Sequence, residues 1–265
     1  VPRAGDSRML SALKGVTVAR ESLSEAQRAQ MLALMQVCYA GVTPERFWMD
    51  LDEKQFVILL YARRTGELAG FSTLRVAEEL VEGRAVEVVF SGDTVIHPDH
   101  WGQKELQVSF GRFMLSRKLR RPLRPLLWLL LSAGYKTYLL AVNHFPRTLP
   151  RHDWQPPSER RQLAHALASR WFGAQYDAAL GTVRFAGEHY HVRQGVAPID
   201  RAAAAHPHIS FFARSNPRHV EGEELVCLAE IRMRDLLWAL GRLSAKQLAL
   251  LTRRGLRWMG VGVRA

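Results

Sequence analysis

At 265 residues, 48% hydrophobic and 23% charged, the chain has globular rather than disordered composition and enough length to bury a substantial core. A formal net charge of +12 favours polyanionic company: nucleic acid, anionic lipid, a phosphate-bearing co-substrate or an acidic protein. Two cysteines, Cys38 and Cys227, are too few for a disulfide framework, and the most apolar run, Leu126 to Ala133, is far shorter than the roughly 20 residues that span a bilayer. With no apolar core of signal-peptide type in Val1 to Asp6 either, a cytoplasmic protein with no transmembrane segment is expected.

In chain order, Gly15 to Arg20 alternates and predicts a short strand. Ser22 or Ser24 caps a helix that carries Leu32, Met35 and Tyr39 and stops at Gly41. Thr43-Pro44-Glu45 opens a second helix with Phe47, Trp48 and Leu51 on its buried side. From Gln55 the period becomes that of strands: Phe56 to Ala62, a turn at Arg64-Thr65-Gly66-Glu67, and Leu68 to Val76. A third long strand, Ala85 to Ile96, is interrupted at Ser91-Gly92, where a glycine points to a bulge or a close backbone approach. A turn at Pro98 to Gly102 leads into a helix from about Lys104 to Leu119, and Tyr135 to Phe145 reads as another strand. Pro146 to Pro157 is the clear joint. Beyond it come a helix (Ser158 to Phe172), a strand pair (Thr182 to Arg193), strands around Ile209-Phe212 and Leu225 to Ile231, and a basic tail.

That order, with Val95-Ile96-His97-Pro98-Asp99-His100-Trp101-Gly102 closing the long strand, resembles the GNAT superfamily of acyltransferases over roughly Val16 to Phe145. The resemblance implies an α/β (α+β) fold: a mixed, mostly antiparallel central sheet flanked by helices, with a C-terminal extension. It divides the chain into 1–145, holding the donor site, 146–231, completing the sheet and shaping the acceptor side, and 232–265, a basic amphipathic helical tail that packs, dimerises or touches a membrane surface. It also implies a strand-turn-helix donor site, where backbone amides at a helix N-terminus hold the pyrophosphate of acyl-CoA. Val95, Ile96, His97, Gly102, Gln103 and Lys104 fall there. The loop departs from the family pattern: Trp101 replaces an Arg or Gln, and Lys104 and Leu106 stand where later small residues occur. Either Lys104 and Gln103 supply side-chain donors, or the donor is an acyl-phosphopantetheine thioester on an acidic acyl carrier protein.

The resemblance further makes Asp93 the base that deprotonates the attacking amine, since an ammonium cannot attack a thioester. Glu87, six residues earlier, reads as lying on the same face. Asn143, at the end of the Tyr135 to Phe145 strand, is placed against the pantetheine amides, and Tyr176 is placed as the acid for the leaving thiolate. His189, His191, His206 and His208 have no carboxylate or cysteine at zinc-ligand spacing, so no metal is expected. The cluster Arg117, Lys118, Arg120, Arg121 and Arg124, followed by Leu126 to Leu131, suits either a cationic mouth beside a long acyl chain or a solvated arginine patch before a core helix. An N-acyltransferase is therefore expected, moving a medium or long acyl chain from a CoA or carrier-protein thioester to an amine on a small metabolite or peptide. An acetyl-CoA-dependent N-acetyltransferase and a non-catalytic nucleic-acid binder are the alternatives; the latter lacks any recognised binding module.

Overall fold

The hydrophobic period alternates between that of helices and that of strands, and the computed structural model, which describes residues 12–81, 83–185, 191–192 and 199–242, follows it closely in the first half. β1 (Leu13–Ala19) precedes α1 (Glu25–Cys38), β2 (Tyr39–Ala40) and α2 (Pro44–Asp52); β3 (Phe56–Ala62), β4 (Leu68–Val81) and β5 (Arg84–Ile96) follow. Next come α3 (Glu105–Arg120), β6 (Leu126–Ser132), α4 (Tyr135–His144), β7 (Thr148–Leu149) and α5 (Ser158–Phe172). Short strands β8 (Tyr176–Asp177), β9 (Thr182–Val183) and β10 (His191–Val192) lead to α6 (Arg201–Ala204), α7 (Pro207–Ser215), β11 (Glu224–Ile231) and a helix over 233–242, α8. Of the two serines before α1, Ser24 is the cap, in a capping box with Gln27, and Thr43 caps α2 with Pro44 at its first turn.

One sheet of nine strands runs in the order β1-β3-β4-β5-β6-β11-β9-β8, with β7 also paired to β11. Every pairing in it is antiparallel except β5 with β6. One face carries α3, α4, α7 and α8 over Ile58, Leu60, Val89, Trp128 and Leu130; the other carries α1 and α2 over Val57, Leu59, Phe71 and Val95, and α5 over Val88, Leu127 and Leu129. β1 lies close under α3: a Cβ at Gly15 would fall 1.9 Å from Ser109 Oγ, while the Gly15 amide donates to Glu105 Oε1 at 3.2 Å.

Several expectations are corrected. Tyr135 to Phe145 is helix α4, not a strand: Tyr138, Ala141 and Val142, the buried residues, recur at i, i+3 and i+4. The strand that follows α3 is instead the leucine run, β6, whose side chains enter the core alternately on both faces, as an interior strand must. Ile209-Phe212 belongs to helix α7, with Pro207 at its first turn. Residues 182–183 and 191–192 do not pair with each other: β9 joins β8 and β11, and β10 joins β2. Of the basic tail, residues 243–265 lie outside the described residues; Leu236 and Ala239 in α8 are buried.

Candidate active site

β5 and β6 are hydrogen-bonded in parallel from Glu87 opposite Leu126 to Ser91 opposite Leu130, and no further. Beyond that pair the strands part, with Trp128 Nε1 donating to Ser91 Oγ at 2.9 Å just below the split. On its other side β5 carries a bulge: Ser72 faces Thr94 and Leu74 faces Ser91, so Thr73 alone opposes Gly92 and Asp93. The interruption expected at Ser91-Gly92 is this bulge. The glycine has a steric reason, because a Cβ there would come within 2.7 Å of Thr73 Oγ1 and 2.9 Å of Lys54 Cε. Thr73 Oγ1 is buried with no hydrogen-bond partner among the described residues.

The bulge also re-aims the strand. Glu87 and Val89 point to the α3 face, whereas Val95 joins the α1/α2 core and Asp93 senses Lys54, Asp50 and Arg46 at the end of α2. Glu87 and Asp93 therefore lie on opposite faces, against the expectation from their six-residue spacing, which assumed unbroken alternation. Glu87 is buried in a bidentate pair with Arg117, Nε to Oε1 and Nη2 to Oε2 both at 2.8 Å. It anchors α3 to the far end of β5, away from the split.

Asp93 sits at the opening. Burial first, and nearby Asp50, push its carboxyl up to about 6, while Lys54 and Arg46 pull the other way. Lys54, itself buried, donates from Nζ to the Asp50 carbonyl at 2.9 Å. Across the split, Glu224 begins β11 just past the end of β6, where Leu225 pairs Ser132. Its carboxyl is raised to about 7, by burial and then by Asp93. The phenol of Tyr39, in β2, donates to the Thr94 carbonyl at 3.3 Å and is pushed up by burial, by Asp93 and by Glu224. Two carboxyls, a phenol and a buried ammonium thus converge on one mouth. Sequence reasoning found Asp93 and missed Glu224, Lys54 and Tyr39; each looks ordinary in its own segment, and only the strand order brings them together.

The other candidates fare unevenly. Val95 is buried in the α1/α2 core, and Ile96 packs on the opposite one, its carbonyl accepting from Trp101 Nε1 at 2.8 Å. His97 Nδ1 accepts from the Asp99 amide, Gly102 turns at φ +82°, and exposed Lys104 starts α3 without its own side chain capping the helix amides. Lys104 and the first-turn amides remain able to meet an anion; the first-turn carboxylate of Glu105 is buried and turned to β1. Asn143 is exposed near the C-terminal end of α4, so its placement at a strand end is corrected; the residue ending β6 is Ser132, whose hydroxyl donates to the Gly134 carbonyl. Tyr176 stands on the edge strand β8 with its hydroxyl on His165 Nδ1, its phenol raised by burial, and it is not brought to Asp93. The helix next after the split pair is α4, not α5, so its positional case rested on the misread strand.

The basic cluster is not a mouth. Arg117 pairs Glu87 and both Arg121 and Arg124 pair Glu78, at the end of the sheet remote from the split, and the leucines are core. An apolar pocket does lie on the α3 face, between Phe110, Gly111, Trp128, Leu140, Phe145 and Leu236.

No protein-family model and no curated protein matches the chain. Among solved structures it is similar to a conserved protein from Enterococcus faecalis described as a probable N-acyltransferase, at 15% identity over 49% of this chain and 31% of that one, TM-score 0.38. It is also similar to a GCN5-related N-acetyltransferase from Kribbella flavida (14%, 48% and 32%, 0.36) and to a Trypanosoma brucei acetyltransferase (16%, 54% and 96%, 0.37). The chain spans about a third of the length of the first two. A mixed, mostly antiparallel sheet flanked by helices is the α/β arrangement expected from the sequence.

Proposed function

We propose that the protein is an N-acyltransferase that takes an acyl group from a phosphopantetheine thioester, on CoA or a carrier protein, and passes it to an amine. The observation that carries the reading is Asp93 in the β5 bulge, at the opening of the β5/β6 pair, with its proton affinity raised and Glu224 facing it. A carboxyl poised near neutrality suits a general base. In the step envisaged, Asp93 takes a proton from the ammonium, the freed amine attacks the thioester carbon and forms the C–N bond, the C–S bond breaks, and the departing thiolate takes the second proton that the nitrogen sheds in becoming an amide. Asp93, once ionised, raises the proton affinity of Glu224, so the two do not titrate as independent acids. The apolar pocket beside Trp128 favours an acyl chain longer than acetyl. The nucleic-acid reading has less to draw on, because Arg117, Arg121, Arg124, Arg147, Arg160, Arg170 and Arg218 each sit against a carboxylate.

The test is a panel of acetyl to palmitoyl thioesters, on CoA and on acyl carrier protein, offered with amines of several classes and read by thiol release. Turnover with medium or long chains supports the full reading. Turnover with acetyl-CoA alone reduces it to an ordinary acetyltransferase, and no thioester consumed with any donor overturns it.

A further inference from the structure

Away from the mouth, the joint between β7 and α5 meets α7. His152, Asp153 and His208 come together there, each offering a ligand atom within 4.8 Å of the others. We propose that these three residues form a binding site for a divalent transition-metal ion of the zinc class, which clips the 146–157 joint to α7. Spacing along the chain does not announce the site, because His208 lies 55 positions beyond Asp153, which matches no zinc motif, and only the fold brings it to His152 and Asp153.

Two observations carry the site. The imidazoles of His152 and His208 lie 4.3 Å apart between centroids at 63°, close enough for one ion to take a nitrogen from each. His208 Nδ1 is buried and has no hydrogen-bond partner among the described residues, which is a cost unless something fills its lone pair.

Arg151 is the feature that weighs against a cation, since it grips both oxygens of Asp153, Nη2 to Oδ2 at 2.8 Å. Each carboxylate oxygen keeps a second lone pair, however, and metal-bound carboxylates ordinarily accept such outer hydrogen bonds. Arg151 is itself fixed by the Pro146 carbonyl at 2.8 Å, and the His208 amide is fixed by His206 Nδ1 at 3.2 Å, so both sides of the clip are oriented before an ion arrives. Its nearby charge sets the affinity in the micromolar range rather than tighter. Two imidazoles and a carboxylate leave a fourth position for water. Nothing places this ion at the acyl-transfer mouth, and its role is to order the joint.

The experiment uses the full chain freed of metal by chelator, titrated with ZnSO4 by calorimetry and with CoCl2 by visible absorption. One equivalent should bind with micromolar affinity, Co2+ should give the d–d bands of a low-coordinate N/O site, and saturating Zn2+ should raise Tm by roughly 5–10 °C, reversibly with EDTA. His152→Ala, on the exposed joint, and His208→Gln should each weaken binding at least 10-fold while leaving the metal-free Tm within about 2 °C. Because other histidines can bind zinc, the variants decide: stoichiometric binding that survives both substitutions overturns the site. So does the absence of binding at 100 μM metal. Should His208→Gln fail to fold, His152→Ala with Asp153→Asn carries the same test.

Discussion

The carboxyl at the mouth has a consequence for stability that can be measured without knowing any substrate. Burial raises Asp93 from an ordinary 3.8 to about 6. A tenfold change in proton affinity is about 1.4 kcal/mol, so keeping this group ionised costs the fold about 3 kcal/mol, and its partial exposure trims that to about 2. The sign follows from which state holds the proton more tightly. Near pH 3 the carboxyl is protonated in both states and there is no cost; as pH rises through 3.8 towards 6 the unfolded chain ionises first, and stability is lost. Asp93→Asn, a neutral near-isostere, escapes that loss. Thermal unfolding of both proteins from pH 4 to pH 8 should show Asp93→Asn more stable at pH 8 by about 4–8 °C, with the curves converging towards pH 4. A wild type as stable as the variant at pH 8 would refute the argument, since Lys54 and Arg46 would then compensate for the burial in full.

The same variant should lose at least 100-fold in kcat at pH 7.5 while the donor KM stays within twofold, and wild-type activity should fall about tenfold per pH unit well below pH 6, measured on any donor that turns over. Glu224, raised to about 7, is still neutral while Asp93 ionises, so Glu224→Gln should leave the acid limb of that profile where it is. Lys104→Ala should raise the KM for a CoA donor several-fold and leave kcat unchanged, checked by initial rates. Glu87→Ala should destabilise by about 3–5 kcal/mol through the stranded Arg117, with kcat per folded molecule intact; denaturant melts and active-site titration separate the two effects. Gly15→Ala, whose methyl would collide with Ser109 Oγ, should cost about 1–3 kcal/mol by the same melts.

What the sequence made legible is local chemistry. Ser24, Thr43 and Pro44 mark helix starts, Gly92 marks a bulge, and Asp93 follows from an acid beside that bulge. The reading failed where two signals have the same appearance. Leu126 to Leu131 is apolar at every position, which an interior strand and a buried helix share, and the leucines lack the β-branching that would have separated them. Missing that strand moved the strand label to Tyr135–Phe145 and with it the reasons for Asn143 and Tyr176. Glu224 was out of reach for another reason. Its partner across the opening is Asp93, and nothing within the sequence Glu223-Glu224-Leu225 announces which of the two acids is gripped by Arg218 and which faces the cleft.

The extra residue in β5 separates two duties along a single strand. Up to Ser91 the strand answers to α3, through Glu87, Val89 and the Trp128 contact; after Gly92 it answers to α1, α2 and the mouth. Were the ladder with β4 regular over these same residues, the alternation of Glu87, Val89 and Ser91 would continue and turn Asp93 toward the α3 side. The fold would remain well formed with that carboxyl on the wrong side for the proposed reaction, a failure that melting curves or circular dichroism would hardly register. Natural or engineered chains of this kind can therefore be sorted, before any assay, by the count of residues between the partners of Ser72 and Leu74.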